Sequence, residues 1–313
     1  MTRILVQPES RHGAYDKRWG NLTRHFRGSD NMFQRAMPVS YRLSLALTGV
    51  LVLGVSVSSA LAQDWVQPER SQANLDALAR VQQKTYTFEE AGNTDQEYRV
   101  YIPTAYDGSA ATPLVIALHG LGSGTMYMME YNNLVELAER YGYIVATPMG
   151  YTERGWYGAR GQGNDFNRRR QDPGPENLGA LSEQDVLNVL AIIRDDYNVD
   201  DSRIYLIGQS MGGGGTWYLG SKYAEIWAAL APLAPAVYIS PDILETATHL
   251  PVMVVMGDAD TAVDVKVTRQ WVAKMQELGM SHEYIEVPGG SHSSAGRENI
   301  GKVFAFLDTH RKP

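Results

Sequence analysis

Six short apolar runs, at residues 114–118, 143–147, 203–207, 227–231, 252–256 and 283–287, recur along the chain with amphipathic stretches between them. Most are continuous in Val, Ile, Leu and Ala rather than alternating, which suits strands covered on both faces. The stretches 126–141, 182–197, 211–223, 241–248 and 263–278 read as helices, and 296–310 as a last one closing the chain. Regular alternation of β and α predicts an α/β fold with a mostly parallel, doubly wound sheet. Two alternating segments, 85–91 and 97–102, flank Gly92-Asn93 and predict an antiparallel hairpin at its edge, with Tyr98, Val100 and Ile102 on one side. Leu75, Leu78 and Val81 predict one short outer helix within 71–83. In such sheets ligands bind at the carboxyl ends of the strands, so reactive residues are expected just after the apolar runs.

The first 62 residues read differently. Residues 1–36 are polar and irregular, with seven basic side chains against Glu9, Asp16 and Asp30. From Met37 there follow a short basic region, an apolar run over 43–57 and an Ala60-Leu61-Ala62 site, the three parts of a secretory signal peptide. The apolar run falls short of the ~20 residues a spanning helix needs, and no basic stop-transfer flank follows it. A signal peptide begins a chain, so 1–36 is expected to be a non-native upstream extension or else a long n-region. The expected organisation is then 37–62 signal peptide, 63–84 N-terminal helical segment and 85–313 the α/β domain, secreted or periplasmic and without a membrane anchor. Removing residues 1–62, with eight basic and three acidic side chains, from totals of 28 and 35 leaves a net charge of −12. That acidity argues against nucleic acid as a partner. The absence of cysteine excludes disulfides, thiolate metal sites and a cysteine nucleophile.

Gly208-Gln209-Ser210-Met211-Gly212 directly follows the run 203–207 and opens the helix 211–223. Gly-x-Ser-x-Gly between strand and helix is a nucleophile elbow, a strained turn that lifts the serine hydroxyl above the sheet. Ser210 is therefore the expected nucleophile. Gly212, Gly213, Gly214 and Gly215 begin the helix, although interior glycines each cost roughly 0.8–1 kcal/mol against Ala. They make sense where neighbouring backbone passes close by. His119-Gly120-Leu121-Gly122 ends the run 114–118. The backbone N–H groups of Leu121 and Met211 are the expected oxyanion hole. A dinucleotide fingerprint would need glycine at Thr125 and an acid after the next strand, where Pro148-Met149-Gly150 stands. No Gly-Lys-Ser/Thr of a P-loop occurs, and no cofactor is expected.

The run 252–256 leads into Gly257-Asp258-Ala259-Asp260. Asp258, beside the glycine, suits a turn tie, and Asp260 suits the acid of a Ser-His-Asp triad. Calcium-loop spacing fails at Ala262 and Val263, and no metal is expected. Of the histidines after residue 62, His119 belongs to the oxyanion turn, His249 and His310 read as surface residues and His282 starts a strand. Only His292 follows a strand's carboxyl end, and the order Ser210, Asp260, His292 is that of α/β-hydrolases. The aperiodic stretch 150–180 carries Tyr151, Trp156, Tyr157 and Phe166 and reads as a pocket wall. Trp156, Tyr157 and Gln209 are the expected substrate-facing residues, with burial under the loop as the alternative for the two aromatics. Arg168-Arg169-Arg170 reads as a solvated face or as a contact for an anionic substrate. Trp217, Tyr218 and Trp227 read as core.

On His119-Gly120 and residues 208–212, 257–260 and 290–292, the chain from 85 to 310 resembles an α/β-hydrolase. In Tyr98-Arg99-Val100-Tyr101-Ile102-Pro103, 113–122 and 201–213 it resembles the secreted esterases related to polyhydroxybutyrate-depolymerase-like, feruloyl and acetyl-xylan esterases. The resemblance implies cofactor-free hydrolysis of small-molecule or polymeric carboxylic esters. Gln209 and Met211 stand where depolymerases commonly carry Leu and Ala. One alternative is a prolyl-oligopeptidase-type peptidase, which shares Gly-x-Ser-x-Gly-Gly but usually carries a propeller. A second is a non-catalytic exported binding protein on the same fold.

Overall fold

The computed structural model describes residues 69–164 and 174–313, so the upstream extension, the signal peptide, Phe166 and Arg168, Arg169 and Arg170 lie outside the described residues. Among the described residues the strands are β1 (Gln82–Phe88), β2 (Thr94–Tyr101), β3 (Thr112–Leu118), β4 (Ile144–Pro148), β5 (Val199–Gln209), β6 (Ala229–Leu233), β7 (Val252–Gly257) and β8 (His282–Val287). They form one sheet in the order β1-β2-β4-β3-β5-β6-β7-β8. The β1–β2 hairpin pairs antiparallel, β2 lies antiparallel to β4, and every pair from β4 to β8 is parallel. This is the doubly wound sheet with an antiparallel edge that the alternation predicts. Gly92 and Asn93 turn the hairpin with φ of 80° and 61°.

Among the described residues the α-helices are α1 (Gln72–Leu78), α2 (Met126–Met129), α3 (Leu134–Tyr141), α4 (Leu178–Asp196), α5 (Met211–Lys222), α6 (Val265–Glu277) and α7 (Ser294–Asp308). Leu114, Ile116, Ile204, Leu206, Val252 and Val254 pack with α4, α5 and α6 on one face of the sheet. Their neighbours Val115, Ala117, Tyr205, Ile207, Met253 and Val255 pack with α1, α3 and α7 on the other. Successive side chains of a strand point to opposite faces, so two covered faces require an apolar residue at every position. Trp217 of α5 and Trp271 of α6 are both buried, their ring centroids 4.5 Å apart. Trp271→Ala is expected to cost about 3–5 kcal/mol of stability, read as a lowered urea midpoint at constant m-value. A loss below about 1 kcal/mol would contradict its place in the core.

Several elements differ from expectation: β1 ends at Phe88, with Glu89–Ala91 forming a 3-10 turn, α1 stops at Leu78, and α4 and β5 each begin four residues earlier. Three further differences have a visible cause. The single helix predicted over 126–141 breaks into α2 and α3, because Asn132 takes a φ of 45° and its amide donates to the Arg297 carbonyl at 2.8 Å. The helix predicted over 241–248 is a 3-10 helix, Pro241–Thr246. The strand predicted over 227–231 lies two residues later, since Trp227 is fully buried ahead of it and its indole donates to the Leu219 carbonyl at 3.1 Å.

Candidate active site

Because β3 and β5 to β8 run parallel, the residues that follow each of them collect along one edge of the sheet. Ser210 caps α5 with φ 57° and ψ −114°, a conformation that costs on the order of 1–3 kcal/mol in a non-glycine residue. Its backbone is fixed on both sides: the N–H donates to the Leu233 carbonyl at 2.9 Å, and the carbonyl accepts from Gly214 at 3.0 Å and Ala236 at 2.9 Å. The glycines around it answer to close approaches. A methyl on Gly212 would collide with the Leu118 carbonyl, and one on Gly214 with the Ala236 carbonyl. A methyl on Gly213 would lie 2.8 Å from Pro235 Cα, and one on Gly215 2.6 Å from the Tyr157 ring.

The turns after β7 and β8 are joined in the same way. A methyl on Gly257 would collide with the Gly290 carbonyl, and Ala259 N–H donates to that oxygen at 3.1 Å. Asp258 Oδ1 accepts from Gly289 N–H at 2.6 Å, which makes Asp258 the tie between the two turns. Asp260 Oδ1 accepts from the Ala262 and Val263 amides at 2.8 and 2.9 Å. Its Oδ2 lies 2.6 Å from His292 Nδ1, and His292 Nε2 lies 2.9 Å from Ser210 Oγ. A carboxylate at Nδ1 requires the imidazole proton there, leaving Nε2 to accept from the serine hydroxyl. The Asp260 side chain is wholly buried, whereas that of His292 is a quarter exposed. Hydroxyl, imidazole and carboxylate thus form one row at the carboxyl edge of the sheet.

The turn after β3 reaches the same place. A methyl on Gly120 would lie 3.7 Å from Ser210 Cβ. Gly122 N–H donates to Glu153 and Ser123 N–H to Gly120, whereas the amides of Leu121 and Met211 donate in no loop or turn bond among the described residues. His119 is buried with each ring nitrogen 2.8 Å from a carbonyl oxygen, of Gly120 and of Met149. Burial lowers its pKa against the pull of those carbonyls. It clamps the turn from below.

Of the residues expected to face substrate, Tyr157 is fully buried. Its N–H donates to Ser182 Oγ at 2.9 Å and its hydroxyl to the His119 carbonyl at 3.2 Å. Left-handed φ values of 60° and 53° at Trp156 and Tyr157 turn that ring inward, so it supports the elbow from beneath. Trp156, 5 % exposed, meets the exposed Tyr238 edge to face at 5.1 Å. The Arg160 guanidinium lies 3.7 Å and 3.3 Å from the two ring centroids. A cavity of about 370 Å³ opens there between Ala159, Arg160, Gly161, Tyr238 and Ile239. Tyr238 stands two residues beyond Ala236, the donor to the Ser210 carbonyl. Gln209 is 3 % exposed and lies beside His292.

Sequence reasoning missed Asp185 of α4. Its buried carboxyl accepts from the Tyr86 hydroxyl at 2.6 Å, from Gly150 N–H at 2.6 Å and from Tyr151 N–H at 3.1 Å. It anchors the loop that carries Trp156. The signal was available, since Ser182, Asp185, Val189 and Ile193 share one face of a helix and two of them are polar. Burial pushes the Asp185 carboxyl up to about 6. The folded protein keeps that proton up to about pH 6, whereas the unfolded chain releases it at about 3.9. Its contribution is therefore complete below about pH 4 and is lost as the pH rises to about 6, a span of about 3 kcal/mol. Asp185→Asn can accept both amides and donate to the Tyr86 oxygen, so urea midpoints should show it gaining on the parent chain across that window. Parallel curves for the two proteins would contradict the burial of the charge.

The family model described as "Putative esterase" matches residues 90–301. The bifunctional acetylxylan esterase/xylanase XynS20E of Neocallimastix patriciarum is 24 % identical over 193 residues, spanning 61 % of this chain and 26 % of its own. Cutinase 1 of Thermobifida cellulosilytica is 27 % identical over 202 residues, spanning 60 % of this chain and 72 % of its own. A thermostable esterase superposes with a TM-score of 0.58 at 25 % identity, over 75 % of this chain and 64 % of that one. The ferulic acid esterase AmCE1/Fae1A of Anaeromyces mucronatus superposes with a TM-score of 0.55 at 18 % identity, over 74 % of this chain and 90 % of its own, a likeness of fold alone. The chain thus spans about a quarter of the acetylxylan esterase/xylanase and just under two thirds of the thermostable esterase.

Proposed function

From the premise that the chain belongs to the esterase family, we propose that it is a serine carboxylesterase working through Ser210, His292 and Asp260. The observation that carries this is the hydrogen-bonded row Ser210 Oγ–His292 Nε2 and His292 Nδ1–Asp260 Oδ2, held at the strained elbow. Ser210 Oγ attacks the ester carbonyl carbon while His292 Nε2 takes the hydroxyl proton. Asp260 keeps the other imidazole nitrogen protonated and steadies the imidazolium that forms. Negative charge on the carbonyl oxygen is met by the Leu121 and Met211 amides, and each such donor is typically worth ~2.7–4 kcal/mol. His292 returns the proton to the departing alkoxide, leaving an acyl group on Ser210. Water then attacks that acyl group by the same steps, releasing the acid and restoring the hydroxyl.

The acyl or alcohol group belongs to the acetyl, feruloyl or polyester class. The acetylxylan esterase and cutinase relatives, together with the motif resemblance to feruloyl esterases, support that choice. The exposed ring of Tyr238, backed by the buried Trp156, gives such a group a surface to lie on. The enzyme is exported by the segment 37–62, and its exported form should begin at Gln63, as N-terminal sequencing would read. No helix among the described residues is long and apolar enough to cross a membrane. The test is turnover of p-nitrophenyl esters from acetate to decanoate and of methyl ferulate. Hydrolysis with a defined chain-length or ferulate preference is expected, and a folded protein that turns over none of them overturns the esterase reading.

A further inference from the structure

Gln209 adjoins the nucleophile yet has almost no surface to offer a substrate. Its carboxamide is engaged at both ends. Nε2 donates to the His292 carbonyl at 3.3 Å and lies 3.4 Å from His292 Nε2, while Oε1 accepts from the Tyr127 hydroxyl at 3.2 Å. Turning the amide over would set oxygen against that carbonyl, so the acceptor on the His292 side fixes which end donates. A methyl on Gly120 would lie 2.6 Å from Gln209 Oε1, so the turn after β3 leaves the room the amide occupies. Tyr127 is itself held, with the Arg297 guanidinium 5.2 Å from its ring centroid, and Arg297 lies on α7, the helix that follows His292.

Asp260 grips the imidazole at Nδ1, and Ser210 Oγ meets it at Nε2. Once Ser210 is acylated its oxygen no longer carries a proton to donate, and the ring loses that contact. The Gln209 amide remains, touching both the Nε2 edge and the backbone of the same residue. We propose that Gln209 is a positioning residue for His292, its amide oriented by Tyr127, and that it keeps the ring in register while water attacks the acyl group. This rests on the esterase reading for its kinetic consequence.

The experiment compares the parent chain with Gln209→Leu, Gln209→Glu, Tyr127→Phe and the Gln209→Leu/Tyr127→Phe double variant on one p-nitrophenyl ester. Loss of one such hydrogen bond in the slow step should lower kcat about tenfold, with KM unchanged or lower. Gln209→Glu preserves size and the acceptor for Tyr127 but has no amide to donate, so it should fall with Gln209→Leu. Tyr127→Phe should lower kcat in the parent and add nothing in the Gln209→Leu background. A raised KM at constant kcat would make Gln209 a substrate contact, and additive losses would separate Tyr127 from it; either overturns the proposal. The downfield proton resonance of His292 Nδ1 supplies a readout independent of turnover. It should broaden in both Gln209 variants at an unchanged Tm, and a sharp, unmoved resonance overturns the proposal. If the parent hydrolyses no ester while that resonance still depends on Gln209, the esterase reading fails and the positioning role stands.

Discussion

Ser210→Ala is expected to lower kcat for ester hydrolysis about a millionfold, because the triad acts as a unit and loss of its nucleophile leaves the base with nothing to activate. The substitution removes only the Oγ that contacts His292. The backbone bonds to Leu233, Gly214 and Ala236 that hold the elbow are untouched. Its thermal midpoint should therefore match that of the parent chain, so lost turnover reads as lost chemistry. A residual rate about 10³–10⁴ above water is expected from the oxyanion amides and substrate binding alone. A variant that retains more than about one hundredth of parental kcat would place the nucleophile elsewhere.

Asp260→Asn should cost about 10⁴ in kcat through the imidazole tautomer. The asparagine oxygen can keep the Ala262 and Val263 amides, which turns its NH₂ toward His292 Nδ1. That nitrogen must then be the acceptor, so the ring proton moves to Nε2 and the Ser210 hydroxyl loses its base. Asp258→Asn provides the contrast. It weakens a carboxylate bond to Gly289 N–H that joins two turns, with an expected cost of about 1–2 kcal/mol in stability and a kcat within a few-fold of the parent. A larger loss of turnover in Asp258→Asn than in Asp260→Asn would reverse the roles given to the two carboxylates.

The parallel sheet was legible because strands covered on both faces cannot alternate, and runs such as 114–118 and 252–256 carry that constraint in every residue. Ser210, Asp260 and His292 are legible because each follows such a run, and parallel strands bring those positions to one edge. The close approaches at Gly212 and Gly214 were signalled by glycines that a helix would otherwise avoid. What stayed hidden depends on contacts distant in sequence. Tyr157 turns inward because two successive residues take left-handed φ and a hydroxyl from α4 meets its amide. Gln209 reads as a residue beside a nucleophile until Tyr127 and His292 are seen to hold its amide. Asn132 breaks a helix by bonding to Arg297, more than 160 positions away. Local pattern carries the frame and the edge where chemistry is placed, whereas the orientation of each supporting side chain is set by partners the pattern does not contain.

The most direct measurement follows an acyl group onto the elbow. The chain is mixed rapidly with p-nitrophenyl acetate, p-nitrophenol release is recorded from the first milliseconds, and acid-quenched protein is digested and weighed peptide by peptide. A serine esterase of this geometry gives an initial burst of about one p-nitrophenol per chain, an acetyl adduct on the peptide containing Ser210, and neither in Ser210→Ala. Hydrolysis that continues in Ser210→Ala, or an adduct confined to another residue, would contradict it.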